Sequence, residues 1–579
     1  MSLQFITGNS GNGKTEYLFN RIVKEAKENP RDNYLVIVPE QFTMQTQRQL
    51  VDLSENKVIM NIDVLSFKRL AYRVFDELGI TNLTVLEETG KNLVLRKLAA
   101  QEADKLGVIG RNLNRIGYIS EVKSLLSELV QYNISPEELG RYIASGRLSD
   151  TLSDKLKDVL VLYEAFEKFM QDKYITAEEI LNVLSNVAEE SAILRNSVIA
   201  FDEFTGFTPI QNQLIKKLFV ISKKIYVTLT IDCREDIFKS RGMQELFDMP
   251  KRTVKSLTEM AAFYGIEVEE PIILDKNYRL AENEELSFME QQLFRKRRCS
   301  FKKAPKHIHI DCLRDPKQEL TKIARRINEL VRNENLRYRD IAIVTGDVNI
   351  YAGYVREIFD KYNIPYFIDA TQEILFHPFI EFIRSIPDIA AQNFSADAVF
   401  RFLRCGFSEL LDSEIDVLEN YVLACGVRGK SAWDKKWVRL PKHKAGYDLE
   451  LLNQSREYIM ELLKPVYQVF SDKKSTVKDY VLAIYKLIVL LDIPDKLAKK
   501  EQALLDAGDQ TASKEYGQIY KIVMQLFEKY VAVLGDECMD AEEFTQILDA
   551  GLDAADVAVI PPGYDTVTIG AVSYTHLRA

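Results

Sequence analysis

Histidine and cysteine are scarce in this 579-residue sequence. Five histidines in the whole chain argue against a histidine-rich metal site. The six cysteines, Cys233, Cys299, Cys312, Cys405, Cys425 and Cys538, contain no CxxC pair. A chain of this size needs no disulfide staples, so all six are expected as reduced, mostly structural thiols. Long uncharged apolar runs are also missing: none reaches the ~18 to 20 residues that a membrane span requires. The nearest, Tyr480 to Ile493, is interrupted by Lys486 and Asp492 and reads as a buried helix. No signal peptide precedes the first strand-like run, which points to the cytoplasm. Positive charge is in deficit, with a net charge of −10. This weighs against nucleic acid as a partner, because affinity for phosphates comes from Lys and Arg, although an acidic protein can still be basic along one channel. The local exception is Phe294 to Lys306, which holds Arg295, Lys296, Arg297, Arg298, Lys302, Lys303 and Lys306; its plain reading is a solvated linker. No internal repeat or low-complexity tract is visible.

What remains is ordinary globular composition, 46% hydrophobic and 28% charged, in a chain too long for one core. Two to four domains are expected. Leu3 to Thr7 reads as a strand, Gly8 to Gly13 as a turn, and Leu18, Ile22 and Ala26 recur at helical spacing. Tyr34 to Val38, Val198 to Phe201 and Ile225 to Ile231 are unbroken apolar runs of the kind buried on both faces of a parallel sheet. Helical patterns separate them, so the fold class is α/β. Residues 83–190 are helical in pattern, as in Ile119, Val122, Leu125, Leu126 and Leu129, and read as an insertion. A second α/β unit is expected from about residue 305. Its markers are a strand over Ile308 to Cys312, a helix through Leu320, Ile323, Ile327 and Leu330, and a strand over Ile341 to Val344. Residues 381–548 turn helical again, and Val557 to Ile569 reads as a return to the second sheet.

Gly8-Asn9-Ser10-Gly11-Asn12-Gly13-Lys14-Thr15 fits GxxxxGK[ST] in full, between a strand and a helix as its mechanics require. A chance match in a chain of this length is on the order of one in fifty. Backbone N–H groups and the positive helix end would cradle phosphates, Lys14 would reach the β- and γ-phosphates, and Thr15 would ligate Mg²⁺. ATP and Mg²⁺ are therefore the expected cofactors. A phosphate loop needs a carboxylate at the end of a neighbouring strand. Val198 to Phe201 followed by Asp202 and Glu203 supplies one, with Asp202 on the metal and Glu203 placed to polarise an attacking water. Alone, such an acidic pair is usually structural; beside the loop it reads as functional.

The segment Asp202-Glu-Phe-Thr-Gly-Phe-Thr-Pro-Ile-Gln211 resembles the second motif of superfamily I helicases, and Leu274-Asp-Lys-Asn-Tyr-Arg279 resembles their fourth. That resemblance implies two RecA-like parallel-sheet motor domains, each with a large helical insertion. The first would occupy residues 1–82 and 191–290, with insertion 83–190; the second 305–380 and 549–570, with insertion 381–548. It also implies that Arg279 touches the γ-phosphate from the second motor domain. A closer resemblance is to the AddB family. It rests on Val38-Pro-Glu-Gln-Phe-Thr43, Leu65-Ser-Phe-Lys-Arg-Leu-Ala71, Phe204-Thr-Gly-Phe-Thr-Pro209, Tyr338-Arg-Asp-Ile-Ala-Ile343, Ile364-Pro-Tyr-Phe-Ile-Asp369, His377-Pro378 and Leu418-Glu-Asn-Tyr421. The family resemblance implies a subunit that pairs with the motor subunit AddA, processes DNA ends for recombinational repair, and in this half scans single-stranded DNA for a recombination hotspot (Chi). By it, Gln41, Thr43, Phe67, Arg69, Tyr72 and Phe207 would contact DNA, the rings stacking on bases at ~1 to 3 kcal/mol each. For Phe67 and Tyr72, helix packing is the competing reading.

The departures are informative. Only seven residues precede Gly8, leaving no room for an adenine-recognising glutamine motif. Glu235 stands where a phosphate-sensing glutamine is usual, and Thr205 and Gly206 where Gln and Asp are. Nucleotide binding without translocation is the expectation. AddB proteins run to about twice this length and end in a nuclease domain with a [4Fe-4S] cluster, expected only in the full-length protein. Residues 571–579 match nothing in that pattern and read as a foreign tail. Two alternatives stand beside this reading: an autonomous ATP-driven helicase, and a P-loop kinase, which leaves the Asn277-Tyr278-Arg279 segment and the second α/β unit without a purpose.

Overall fold

The computed structural model describes residues 1–81, 85–86, 88–108, 118–145, 148–170, 174–295, 299–368, 372–374, 376–440, 447–507, 509–553, 556–557 and 565–571. Its first half runs β1 (Ser2–Gly8), α1 (Lys14–Glu28), β2 (Tyr34–Ile37), α2 (Thr43–Leu53), β3 (Ile62–Leu65) and α3 (Phe67–Leu78). A helical stretch follows: β4 (Val85–Leu86), α4 (Glu88–Gln101), α5 (Tyr118–Gln131), α6 (Pro136–Ala144), α7 (Asp150–Met170), β5 (Ile175–Thr176) and α8 (Ile180–Val187). The chain then returns through β6 (Val198–Phe201), α9 (Pro209–Ile221), β7 (Lys224–Thr230), α10 (Asp248–Phe263), β8 (Glu267–Val268), β9 (Ile272–Leu274) and α11 (Glu284–Gln292).

Seven of these strands form one parallel sheet in the order β3-β2-β6-β7-β1-β8, with β9 also pairing β1. The unbroken apolar runs sit at its centre because both faces are covered. Leu35, Ile37, Ile199, Phe201, Val227 and Leu229 pack with α3, α8, α9 and α10 on one side. Ile6, Tyr34, Val36, Val198 and Tyr226 pack with residues of α1 and α2 on the other. Burial on both faces explains why the strands read as continuous rather than alternating. Local signals set the helix ends. Ser66 caps α3 by accepting from the Arg69 amide, and Gly79 ends it in the left-handed region. Thr208 and Gln211 form a capping box on α9, with Pro209 in its first turn.

The second half contains α12 (Pro316–Asn333), β10 (Ala342–Thr345), α13 (Val348–Lys361), β11 (Tyr366–Ile368) and β12 (Gln372–Glu373). Helices α14 (Pro378–Ala391), α15 (Ala396–Leu403), α16 (Asp412–Cys425), α17 (Lys430–Asp434), α18 (Leu449–Ser471), α19 (Val477–Leu490), α20 (Ile493–Asp506), α21 (Gln510–Leu534) and α22 (Ala541–Asp553) follow, then β13 (Asp556–Val557) and β14 (Val567–Ala571). A three-stranded parallel sheet, β10-β14-β11, is packed on one face by Leu320, Ala324 and Ile327 of α12 and Val355, Ile358 and Phe359 of α13. The chain returns to this sheet after the helices, as its sequence pattern suggests, although it enters at Val567. Residues 558–564 and 572–579, which include most of the suspected tail, lie outside the described residues.

One expected strand is absent. Ile308 to Cys312 has strand composition but pairs with no strand among the described residues, and Ile310 is 95% exposed. Without a neighbour to take its backbone hydrogen bonds, β-propensity alone does not make a strand. Tyr480 lies in α19, whose Tyr480, Ile484, Leu487 and Ile488 are buried in the core of the second helical region. Among the described residues no helix is long and apolar enough to cross a membrane. All six cysteines are free thiols.

Candidate functional site

β1 ends at Gly8 and α1 begins at Lys14, so the residues between them must turn the chain sharply. Gly11 and Gly13 do so at φ +85° and +75°, a region that a side chain disfavours. Gly13 is the N-cap of α1 and offers no side chain to cap it, leaving the first amides of the helix for an anion. The side chain of Lys14 folds back onto the loop, its Nζ donating to the Asn9 carbonyl at 3.0 Å.

Asp202 follows β6, and β7 separates β6 from β1, so Asp202 emerges at the same sheet edge as the loop. Its carboxylate is 1% exposed and accepts a hydrogen bond from Thr228 of β7. Its Oδ2 is buried with no hydrogen-bond partner among the described residues. Burial pushes the Asp202 pKa up to about 6 despite the Thr228 hydrogen bond, and the neighbouring Glu203 adds to the rise. Glu203 itself sits at φ +64°, unusual for a residue with a Cβ, and accepts from the Thr15 hydroxyl at 3.3 Å. Burial lowers the pKa of Lys14, while Glu203 and Asp202 oppose that shift and Arg279 adds to it. Lys14, Thr15, Asp202 and Glu203 are thus brought together.

An unpartnered, buried carboxylate oxygen beside a threonine hydroxyl suits a small hard cation. Mg²⁺ ordinarily takes only one or two carboxylates, with water and phosphate oxygens completing its shell. Among the described residues no group of three His, Cys, Asp or Glu side chains could hold a metal ion. Thr15 and Asp202 are the residues available to such an ion.

The Asn277-Tyr278-Arg279 segment corrects one expectation. The helicase resemblance implies that it reaches the phosphate site from the second α/β unit. It instead follows β9, which pairs with β1, so it belongs to the first sheet and lies directly on the loop. Asn277 Nδ2 donates to the Ser10 carbonyl at 2.9 Å, and the Tyr278 amide donates to Gly11 O at 3.0 Å. Asn12 Nδ2 donates to Leu274 O at 2.6 Å. Register places these residues there: Gly8 pairs with Leu274, and the segment begins three residues later.

Glu235 does not stand free at the phosphate position. It is ion-paired with buried Lys251 at 2.5 Å. Gln211, the downstream glutamine of the helicase-like motif, is committed to the α9 capping box. Sequence reading misses the clamp beside them. Asp232, just after β7, is 1% exposed and held by Arg234 at 2.6 Å and Arg295 at 2.9 Å. Burial pushes its carboxyl up, but the two arginines outweigh burial and hold it at about 2. An aspartate after an apolar strand with an arginine two residues on is the signal that could have found it.

The expected DNA contacts divide. Phe67 is buried, in an aromatic cluster with Phe201, Phe204 and Phe207 at centroid separations of 5.8, 5.6 and 6.4 Å. Phe207 is half-buried in the same cluster. Thr43 is buried and donates its hydroxyl to Glu40 O at 2.9 Å. These three are packing and turn residues, because each completes the local fold with the group expected to reach DNA. Gln41 and Tyr72 are exposed, and exposed Arg69 donates to Glu40 at 3.1 Å.

The family described as "ADDB, N-terminal" matches residues 5–290, the stretch that carries nearly all of the seven-stranded sheet. The B subunit of the ATP-dependent helicase/deoxyribonuclease of Lachnoclostridium phytofermentans is 38% identical, covering 100% of this chain and 51% of its own length. The chain is similar to the AddB family along its whole length. The corresponding AddB relatives from Clostridium acetobutylicum and Caldanaerobacter subterraneus subsp. tengcongensis are each 32% identical over 99% of the chain and 50% of their own length. The chain therefore spans about half the length of the AddB relatives it matches.

Proposed function

We propose that this chain is the helicase-like half of an AddB-type subunit: an ATP- and Mg²⁺-binding, DNA-binding part of an ATP-dependent helicase–deoxyribonuclease that works on DNA ends in the cytoplasm. The observation that carries the reading is the convergence of Lys14, Thr15, Asp202 and Glu203 at one edge of a parallel sheet. On this reading the loop residues Gly8, Asn9, Ser10, Gly11, Asn12 and Gly13 wrap the phosphates, Lys14 neutralises them, and Thr15 and Asp202 hold Mg²⁺. Glu203 orients water, and Arg279 acts on the γ-phosphate from the loop's own sheet. Residues 1–82 with 191–290 and 305–380 with 549–570 are then two RecA-like domains, with 83–190 and 381–548 as their insertions. The ion pair of Glu235 with Lys251 leaves no neutral amide to sense the γ-phosphate at that position, which favours a bound nucleotide over a motor cycle.

Single-stranded DNA is assigned to the exposed Gln41, Arg69 and Tyr72, where hotspot (Chi) recognition would occur. AddA is the proposed partner, and a nuclease domain with a [4Fe-4S] cluster is proposed only for the full-length protein. The test is single-stranded DNA binding and ATPase by this chain with and without an AddA subunit. DNA binding with little ATPase by the chain alone, and an ATPase with AddA that Lys14→Ala in this chain leaves unchanged, supports the proposal; robust ATPase by the chain alone that depends on Arg279 replaces it with an autonomous helicase.

A further inference from the structure

Helix α4 belongs to two cores at once. Val94, Leu95, Leu98 and Ala99 pack in the first helical region, with α5 and α7 residues such as Val122, Leu126, Leu162 and Phe166. Leu93 packs instead in the large core of the second helical region, built from α14 to α22. Three and four residues beyond Leu93, on the same helical face, come Arg96 and Lys97. Arg96 grips α22 with both terminal nitrogens, donating to the Gln546 backbone carbonyl and to Gln546 Oε1, each at 2.9 Å. Lys97 is ion-paired with Glu537, in the loop between α21 and α22, and also lies over the Phe169 ring of α7 at 5.1 Å. Asp549 of α22 in turn holds Arg384 of α14 at 2.7 Å. From the other side, Val533 of α21 packs against the first helical core. Arg96 is half-buried, and burial lowers its pKa.

We propose that α4 locks the two helical regions into one rigid frame, so that nucleotide at the phosphate loop is held without being converted into relative movement of the two sheets. The connectivity gives the lock its leverage. α4 follows directly from the first sheet through α3 and β4, and the second helical region is inserted between β11 and β14 of the second sheet. A motor that opens and closes on its nucleotide must let such units part. Here parting would expose Leu93 and strip a half-buried guanidinium of both its acceptors, a concerted loss rather than the breaking of a surface ion pair. The proposal rests on the nucleotide reading above for its functional meaning, but not for its geometry.

The test is a distance measurement in the whole chain, with spin labels on unnatural amino acids at the exposed positions 142 in α6 and 423 in α16, so that the six native cysteines stay in place. The expected result is one narrow distance distribution that Mg²⁺ and a non-hydrolysable ATP analogue leave unchanged. Arg96→Ala with Lys97→Glu should broaden it several-fold. Lys97→Glu alone should broaden it less, and adding Glu537→Lys should restore the narrow form, which a merely misfolded variant would not do. A native distance that shifts with nucleotide, a Lys97→Glu chain that stays narrow, or a charge swap that fails to restore it overturns the lock. Binding of a fluorescent ATP is measured separately. If none binds, the nucleotide reading fails while the lock is still judged on the nucleotide-free distances.

Discussion

The side chain of Asn277 spans the phosphate loop, its Nδ2 donating to the Ser10 carbonyl at 2.9 Å while its Oδ1 accepts from the Leu280 amide at 2.9 Å. The loop is thereby fixed from outside as well as by its own glycines. A Cβ built on Gly11 would lie 2.9 Å from Asn277 Oδ1 and from Arg279 Cβ, at a φ of +85°. Gly11→Ala therefore combines a backbone penalty with a clash against this brace. We expect a loss of about 1–3 kcal/mol in stability, read by denaturant unfolding, and weaker nucleotide binding. Unchanged stability and affinity would show that the loop is not braced in this way.

Phe67 and Tyr72 stand five residues apart on α3 and should respond oppositely. Phe67 is buried among Phe201, Phe204 and Phe207, so Phe67→Ala should cost about 3–5 kcal/mol of stability. Tyr72 is 39% exposed, and Tyr72→Ala should leave the unfolding midpoint nearly unchanged. Its loss should weaken single-stranded DNA binding by ~1 to 3 kcal/mol, measured by fluorescence anisotropy. Equal DNA affinity in native and Tyr72→Ala chains would remove this surface from the account.

His377 caps α14, its Nδ1 accepting from the Phe379 amide at 3.1 Å, and its Nε2 is buried without a partner among the described residues. Burial lowers its pKa to about 4. The unfolded chain takes up a proton near the ordinary histidine value of about 6.5, whereas the folded chain resists it until about pH 4. Stability should therefore be unaffected by this residue above pH 6.5 and fall as pH is lowered from 6.5 to 4, by up to about 3 kcal/mol. His377→Asn keeps a capping acceptor and removes the titration, so its stability should be lower overall but flatter across that window. Parallel pH profiles for the two chains would contradict the assignment.

Much of the first α/β unit was legible because its signals are local or periodic. The phosphate loop is a contiguous motif, and three central strands announce themselves as unbroken apolar runs because both sheet faces are covered. The placement of Asn277 and Arg279 was not legible, since it depends on β9 pairing with β1, a contact more than 260 residues apart in sequence. The same limit hid Thr228 behind Asp202 and the two arginines on Asp232, where only tertiary packing brings partners together. Ile308 to Cys312 misled in the opposite sense: its composition is that of a strand, but a strand also needs a neighbour. Phe67 and Thr43 misled because a residue type suited to DNA is equally suited to a core or a turn.

Calorimetric titration of Mg²⁺-ATP into the native chain and into Lys14→Ala and Asp202→Asn chains, each first shown to unfold cooperatively, tests the nucleotide site most directly. We predict binding by the native chain and a loss of about 100-fold or more, roughly 2.7 kcal/mol, in Lys14→Ala. Asp202→Asn should lose the part of the affinity that depends on Mg²⁺ and keep the rest. Native-like affinity in the Lys14→Ala chain would contradict the account.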